Sequence, residues 1–485
     1  MPYPTYKDAC APWLGDVPEQ WGVLRQRNTV TMLVSNIDKL TVEGELPVRL
    51  CNYVDVYKND RITASLSFMH ATATTDEVER FRLQFGDVLI TKDSESWTDI
   101  GVPALVEYTA PDLVCGYHLA ILRPREGFLD GRYLLRALQS QGVAVQFRMS
   151  ANGVTRYGLS HDAIKSVLLP IPPLPEQVGI VRFLDHADLR IRRSIVAKKK
   201  LIALLNEQKQ AIIQRAVTRG LDPYIGFQAS GVDWLGEVPE QWQVWQVGHF
   251  AQVGNGSTPS RGNAAYWNKG THPWLNSSSV NQSPISGADQ FVTDVALREC
   301  HLPRVQPGSV LVAITGQGKT RGTAALLTVE ATINQHIAFI TPRRDVALPE
   351  YLHLALVGAY RELRRISDGS GSTKGALTCG DISHFKVAVP PRDEQGHIVT
   401  RIERETHDVQ VAIARTELEI NLLHEYRTRL IADVATGKLD VREAAAQLPD
   451  EVEEPEPLDG VDALAESDES EGEADLDTAA GEAEP

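Results

Sequence analysis

Val181, Leu184, Asp188, Ile191, Ile195, Lys198, Ile202, Leu205, Lys209, Ile212 and Ala216 stand alternately three and four residues apart. That spacing is a heptad seam, the stripe along which one α-helix winds against another. No Pro or Gly interrupts it, so the helix runs roughly 54 Å at about 1.5 Å per residue. A rod of that length with one apolar stripe needs a partner helix.

The partner is written 218 residues later as Val399, Ile402, Thr406, Val409, Ile413, Thr416, Ile420, Leu423, Arg427, Leu430 and Val434. Its polar interruptions fall at the same three places: Asp188 answers to Thr406, Lys198 to Thr416, and Lys209 to Arg427. A polar residue inside such a seam fixes register and partner number. Between residues 176 and 220 there are ten basic and four acidic side chains, against six and eight between 394 and 438. The two helices therefore suit each other better than the first suits a copy of itself.

The rest of the chain is also duplicated. Trp13-Leu14-Gly15-Asp16-Val17-Pro18-Glu19-Gln20-Trp21 recurs as Trp234-Leu235-Gly236-Glu237-Val238-Pro239-Glu240-Gln241-Trp242. His118-Leu119-Ala120 recurs as His336-Ile337-Ala338, and Pro172-Pro173 with Glu176-Gln177 as Pro390-Pro391 with Glu394-Gln395. Short β-branched runs after Gly turns predict strands at 88–91 and 310–315, and helices are expected at 133–138 and 351–357. The Pro-rich stretches close each globular part and launch the long helix at Glu176 or Glu394, which end beyond Gly220 and Gly437.

The fold expected is α+β: two internally repeated α/β domains separated by a long antiparallel two-helix coiled coil with pseudo-twofold symmetry. The boundaries read as 1–170, 171–222, 223–388, 389–440 and an acidic tail, 441–485. Net charge is −16, but residues 450–485 hold 16 Asp and Glu and no Lys or Arg, leaving 48 of each sign in the remainder. Such a tail is expected to be disordered, with competition against DNA for a basic groove as the sharper idea. The scattered cysteines Cys10, Cys51, Cys115, Cys300 and Cys379 form no C-x-x-C pair. With no long apolar run or basic-then-apolar leader, they predict a cytoplasmic, non-membrane protein without a zinc site.

The two copies differ in their loops. Gly254-Asn255-Gly256-Ser257-Thr258-Pro259-Ser260-Arg261, then Tyr266-Trp267-Asn268-Lys269-Gly270 and Pro273-Trp274-Leu275-Asn276, set small donors and cations among large aromatics. Phosphates take Ser, Thr, Lys and backbone amides; base edges take forked Arg and Asn. By composition alone a sugar-binding loop is as good a reading. The corresponding stretch of the first copy, Arg49 to Asn59, with Ile90 to Ile100, does not match it. Ala313 to Thr320 ends in Gly-Lys-Thr like a phosphate-binding loop, but the required first Gly is Ala313. His118 and His336, flanked by apolar residues, are expected to be hydrogen-bonded core histidines.

These motifs together resemble the specificity subunit of type I restriction-modification systems: the duplicated Trp-Leu-Gly-x-Val-Pro-x-x-Trp, the Pro-Pro and Glu-Gln entries to the long helices, Thr258-Pro259-Ser260-Arg261 with Tyr266-Trp267, and Asn52-Tyr53-Val54-Asp55-Val56-Tyr57. The resemblance spans residues 13 to 440. It implies a non-catalytic, DNA-binding chain whose two target-recognition domains each read half of a bipartite double-stranded site. The helices would dock two modification (methyltransferase) subunits, and the assembly would recruit restriction/translocase subunits. Cofactors are implied only for those partners, S-adenosylmethionine and ATP. The expected DNA-binding residues are Arg49, Asn52, Tyr53, Lys58, Lys92, Ser94 and Trp97, then Ser257, Thr258, Ser260, Arg261, Tyr266, Lys269, Asn276, Lys319 and Arg321. A coiled-coil adaptor without nucleic acid is the alternative; it explains the seams but not two loop-divergent domains.

Overall fold

The computed structural model describes residues 2–316, 318–368 and 375–449; of the tail expected to be disordered over 441–485, the start instead forms the helix Arg442–Ala446 with Val441 and Ala445 buried, and 450–485 lie outside the described residues. The described residues form two compact units, one joining Met1–Ala197 to 419–449, the other comprising Lys198–Leu418. Each unit owns part of both long helices. The boundaries drawn at 170, 222, 388 and 440 thus separate globular chain from helix, and not one unit from the other.

In the first unit the central sheet runs Val30–Val34, Leu119–Pro124, Val88–Thr91, Pro103–Val106, Arg61–Ile62, antiparallel until its last pair. The Val88–Thr91 and Pro103–Val106 strands are buried along their whole length, which is why they read as unbroken apolar runs. A second sheet sets Leu46–Cys51 parallel to Leu113–Cys115 and antiparallel to Met69–Ala73. The helix Gly131–Gln139 covers the central sheet.

The second unit repeats this plan. Ala251–Asn255, Ile337–Pro342, Val310–Ala313 and Ala324–Leu326 form its central sheet. His272–Leu275 lies parallel to Thr332–Ile333 and antiparallel to Gln290–Val292. The helix Pro349–Gly358 takes the covering place. Where the first unit has the strand Arg61–Ile62, the second keeps only a single parallel bridge, Ile285 to Leu327.

The long helices are Leu174–Arg219, 46 residues, and Arg392–Ala435, 44 residues. Both start two residues before the Glu proposed as their first. Pro175 is accommodated because a first-turn N–H has no intrahelical partner to lose. The chain leaves each helix through a left-handed glycine, Gly220 at φ +69° and Gly437 at φ +77°.

The duplicated motifs meet at these helix ends. In the first unit the fully buried Trp21 donates from Nε1 to Glu176 Oε1 at 3.1 Å, and Tyr3 donates to the same oxygen at 2.6 Å. In the second, Trp242 donates to Glu394 Oε2 at 3.0 Å. Gln177 takes the Asp130 amide at 2.8 Å and gives to the carbonyls of Pro172 and Phe128; Gln395 does the same with Leu348, Pro390 and Val346. Each Glu-Gln pair thus ties the start of one long helix to its own globular part. Each Trp also touches the end of the other helix: a Cβ on Gly437 would stand 3.1 Å from Trp21, and one on Gly220 the same distance from Trp242.

Within the first unit Ile180, Val181 and Leu184 share a core with Leu430, Ile431 and Val434. Within the second, Ile213, Ala216 and Val217 share one with Ile398 and Ile402. Each unit thus packs the start of one long helix together with the end of the other. Of the seam, Leu184, Ile191, Ile195, Ile402, Val409, Ile420 and Leu430 are buried, while Ile202, Leu205, Ile212, Ile413 and Leu423 are half-buried. The core contacts at the far end of the first helix fall on Ile213 and Val217 instead of Ile212. A 3.6-residue turn drifts about 20° per heptad against a 3.5-residue repeat, so the buried line rotates by one residue over the seam.

Candidate nucleic-acid interface

Strand pairing aligns the two units residue by residue. Cys51 accepts from the Gly116 amide at 2.8 Å as Leu275 accepts from Asn334 at 3.0 Å, so Asn52 and Asn276 are counterparts. Both cap the helical turn that follows. Asn52 Oδ1 accepts from the Val54 amide at 2.9 Å, with Asp55 returning the bond to the Asn52 amide, and Asn276 Oδ1 accepts from Ser278 at 3.1 Å. These side chains shape the loop start. Insertions before each position hid the match in the sequence.

In the first unit Tyr53, Lys92 and Ser94 are gathered with Asp93, Asp99, His118 and Arg156, none of them among the expected DNA-binding residues. Tyr53 stacks on Tyr57 at 5.4 Å, and the Tyr57 hydroxyl donates to Asp99 Oδ2 at 3.0 Å. Ser94, buried, donates to the other oxygen of Asp99 at 2.5 Å. Asp93 sits 2.9 Å from both Lys92 Nζ and His118 Nδ1, and Arg156 approaches the His118 ring at 3.1 Å. Burial pushes the Asp93 carboxyl up, but His118 and Lys92 outweigh it and hold the group below the usual carboxylate range. His118 is half-buried in this polar cluster and is not the core residue expected. Its recurrence as His336, which meets Thr315 Oγ1 at 2.7 Å, was the signal pointing here.

Arg49 lies apart from this cluster's hydrogen bonds. Its guanidinium makes a bidentate pair with Asp112, 2.8 and 2.7 Å, and rests over the Tyr108 ring at 5.7 Å. With its fork occupied it offers little to a base edge. Lys58 is exposed beside the Tyr53–Tyr57 helix, and Trp97 is 50% exposed on the neighbouring loop.

The second unit arranges its cation differently. The guanidinium of exposed Arg261 lies 4.1 Å from the Trp267 ring centre and 5.0 Å from that of Trp274, the two indoles meeting edge to face at 5.2 Å. Trp267 Nε1 donates to the Ser260 carbonyl at 3.0 Å and Trp274 Nε1 to the Ser257 carbonyl at 3.2 Å, so both rings are tied to the loop that carries the arginine. Among the described residues no acceptor engages its five N–H groups, which remain available to a ligand. Such stacking orients a guanidinium without consuming its donors.

Around it, Ser257 donates to the Cys300 carbonyl at 2.8 Å and Thr258 to Gln335 at 2.5 Å. Tyr266 donates to Glu299 at 2.9 Å, and Lys269 stands exposed at φ +59°. Ser260 is exposed beside Arg261, and Lys319 is exposed on the Gly-Lys-Thr loop. The next described element after that loop is the strand Ala324–Leu326, so the helix a phosphate-binding loop requires is not there. Arg321 is a correction: it is 5% exposed, pairs with Asp368 and donates to the Gly375 carbonyl at 2.7 Å, and so braces the fold from within. Among the described residues no His, Cys, Asp or Glu group is placed to hold a metal, and no helix is long and apolar enough to cross a membrane.

The family described as "Type I restriction modification DNA specificity domain" matches residues 52–202 and 239–419, more than half of the chain and one stretch in each copy. Over 446 residues the chain is 22% identical to a putative type I restriction enzyme MjaX specificity subunit of Methanocaldococcus jannaschii, covering 88% of this chain and 96% of that one. It is 22% identical over 420 residues to the type I restriction enzyme EcoKI specificity subunit of Escherichia coli K12, covering 80% and 83%. A solved chain from work on complex assembly and conformational transition of the type I R-M system aligns with a TM-score of 0.57 at 18% identity, over 87% of this chain and 99% of that one, a likeness of fold. One scaffold written twice, with a family match in each copy, establishes that the chain belongs to the type I restriction-modification DNA specificity family.

Proposed function

We propose that this chain is the DNA sequence-recognition subunit of a type I restriction-modification complex and performs no chemistry itself. Each unit reads one half of a bipartite duplex site. The observation that carries this is the pairing of one anchoring scheme, Trp21 with Glu176 and Trp242 with Glu394, with unlike residues at equivalent loop positions. A selection for two different readers on one frame produces that pattern; a selection for a plain scaffold does not.

The long helices, as an antiparallel two-helix coiled coil, act as the ruler for the unread spacer. At about 1.5 Å per residue, a 46-residue helix is roughly 69 Å long, or about two turns of duplex at roughly 34 Å each. The same helices dock two modification subunits, which bind S-adenosylmethionine and methylate adenine, and the assembly recruits ATP-using restriction subunits. The described units carry nearly balanced charge, so tight DNA binding is expected only with the modification subunits present. Duplex affinity measured for the chain alone and for the complex tests this; equal nanomolar binding by the chain alone would refute it.

A further inference from the structure

Over its first half the first long helix carries a basic stripe on the side away from its seam. At about 100° per residue, Arg182, His186, Arg190 and Arg193 fall within a quarter turn of each other, opposite the seam residues Val181, Leu184, Asp188 and Ile191. Arg190 and Arg193 are exposed, and exposed Lys200 falls on the same line further along the helix. The short helix Arg442–Ala446 ends on this stripe: Arg182 donates to the Ala445 carbonyl at 3.5 Å, and a Cβ on Gly179 would lie 3.7 Å from that of Ala445. The chain therefore enters its acidic segment, 16 carboxylates with no Lys or Arg over residues 450–485, beside the basic stripe of the first long helix.

We propose that residues 450–485 dock on this basic face and act as a built-in competitor for polyanions. Charge complementarity is the first argument, since this helix has ten basic and four acidic residues between 176 and 220 while the globular parts are near balance. Reach is the second. Thirty-six residues can extend up to about 120 Å, and the stripe from Arg182 to Arg193 is roughly 17 Å long, so the segment covers it without strain. Docking is electrostatic and weakens with salt over the range where the Debye length falls from about 10 to 3 Å. The competition with DNA rests on the proposed function; the docking itself does not.

The test uses the full chain with Arg190→Lys and Arg193→Lys, which keep the charge and supply amines for zero-length carbodiimide cross-linking. Peptide mapping should join carboxylates of 450–485 to positions 190 and 193 in preference to the exposed Lys7, Lys39 and Lys58, and 1 M salt should erase the preference. Cross-links spread evenly over the exposed lysines, or absent, would overturn the docking. In a second arm, the full chain with those 16 acids changed to Asn and Gln is compared with the unaltered chain for binding of a random-sequence duplex at low salt. A gain on the order of 10-fold supports the competition, and unchanged affinity overturns it. Duplex binding by neither chain would overturn the competition, with the cross-link map still deciding the docking.

Discussion

The two units solve one anchoring problem by different chemistry. In the first, the seam interruption Asp188 receives Arg427, the interruption of the opposite helix, together with Arg192 at 3.1 Å. Asp60, from the globular part, takes Arg427 and Arg192 at 2.7 Å each. Arg136, 2% exposed, reaches Asp185 at 2.7 Å. In the second unit the equivalent places hold Thr406, buried and bonded to its own helix at Ile402, and Lys209, half-buried with no carboxylate partner among the described residues. Ser283 and His353, 3.2 Å apart, stand where the first unit has Asp60 and the covering helix. One globular part is thus pinned to the helices by an ionic lattice, the other by apolar packing and neutral hydrogen bonds. A duplicated scaffold can keep its geometry while its polar contacts diverge, because the shared Trp–Glu and Gln contacts already fix the helix ends.

The largest effects should be symmetric. Trp21→Ala and Trp242→Ala each empty a fully enclosed site and take an indole N–H donor from a glutamate, so each should destabilise its unit by about 3–5 kcal/mol in denaturant unfolding. A large loss at one and a small one at the other would break the claim of a common anchor. Next, Asp188→Ala should cost about 2 kcal/mol, since it removes the carboxylate that Arg427 and Arg192 share and leaves Asp60 alone to face both. Lys209→Met at the matching place should be neutral or stabilising by less than about 1 kcal/mol. Similar losses at both would show that the second unit holds an ion pair after all.

For binding, Arg261→Ala should cost about 1–3 kcal/mol with the complex and relax one half-site only, while Arg49→Ala should lower the stability of the first unit with little change in sequence preference. The smallest effect is that of pH. Burial, and then the nearby Lys209 charge, push His353 below its ordinary 6.5, so it is neutral in the folded unit. A base with a depressed folded value loses stability as pH falls from that ordinary value through the folded one. For Asp188 burial acts upward, but Arg427, Arg192 and Arg136 bring the carboxyl below its ordinary 3.8, so its contribution is lost only on acidifying below that value. Hydrogen exchange from pH 7 to 5 should therefore loosen the second unit around Pro349–Gly358 before the first changes.

The scaffold was legible because its constraints are local or repeated. Heptad spacing needs only neighbours, and the Trp, Pro-Pro and Glu-Gln motifs announce their importance by occurring twice. The interface was legible in type more than in detail. Arg261 could be picked out, but its setting between Trp267 and Trp274 depends on a loop folding back on itself. Arg321 and Arg49 looked equally available until the fold supplied Asp368 and Asp112, carboxylates with no fixed sequence spacing to betray them. Asp60 lies 367 residues from the Arg427 it binds, beyond the reach of any periodicity.

Under the proposed function the two units read separate halves of one site. Modified-adenine mapping in cells expressing this chain with its modification subunit tests it most directly, run beside a chain whose loop 254–281 is replaced by that of a relative. The expected result is a two-part motif in which one half changes while the other half and the spacer length stay fixed. No motif at all, or a change in both halves, would contradict it.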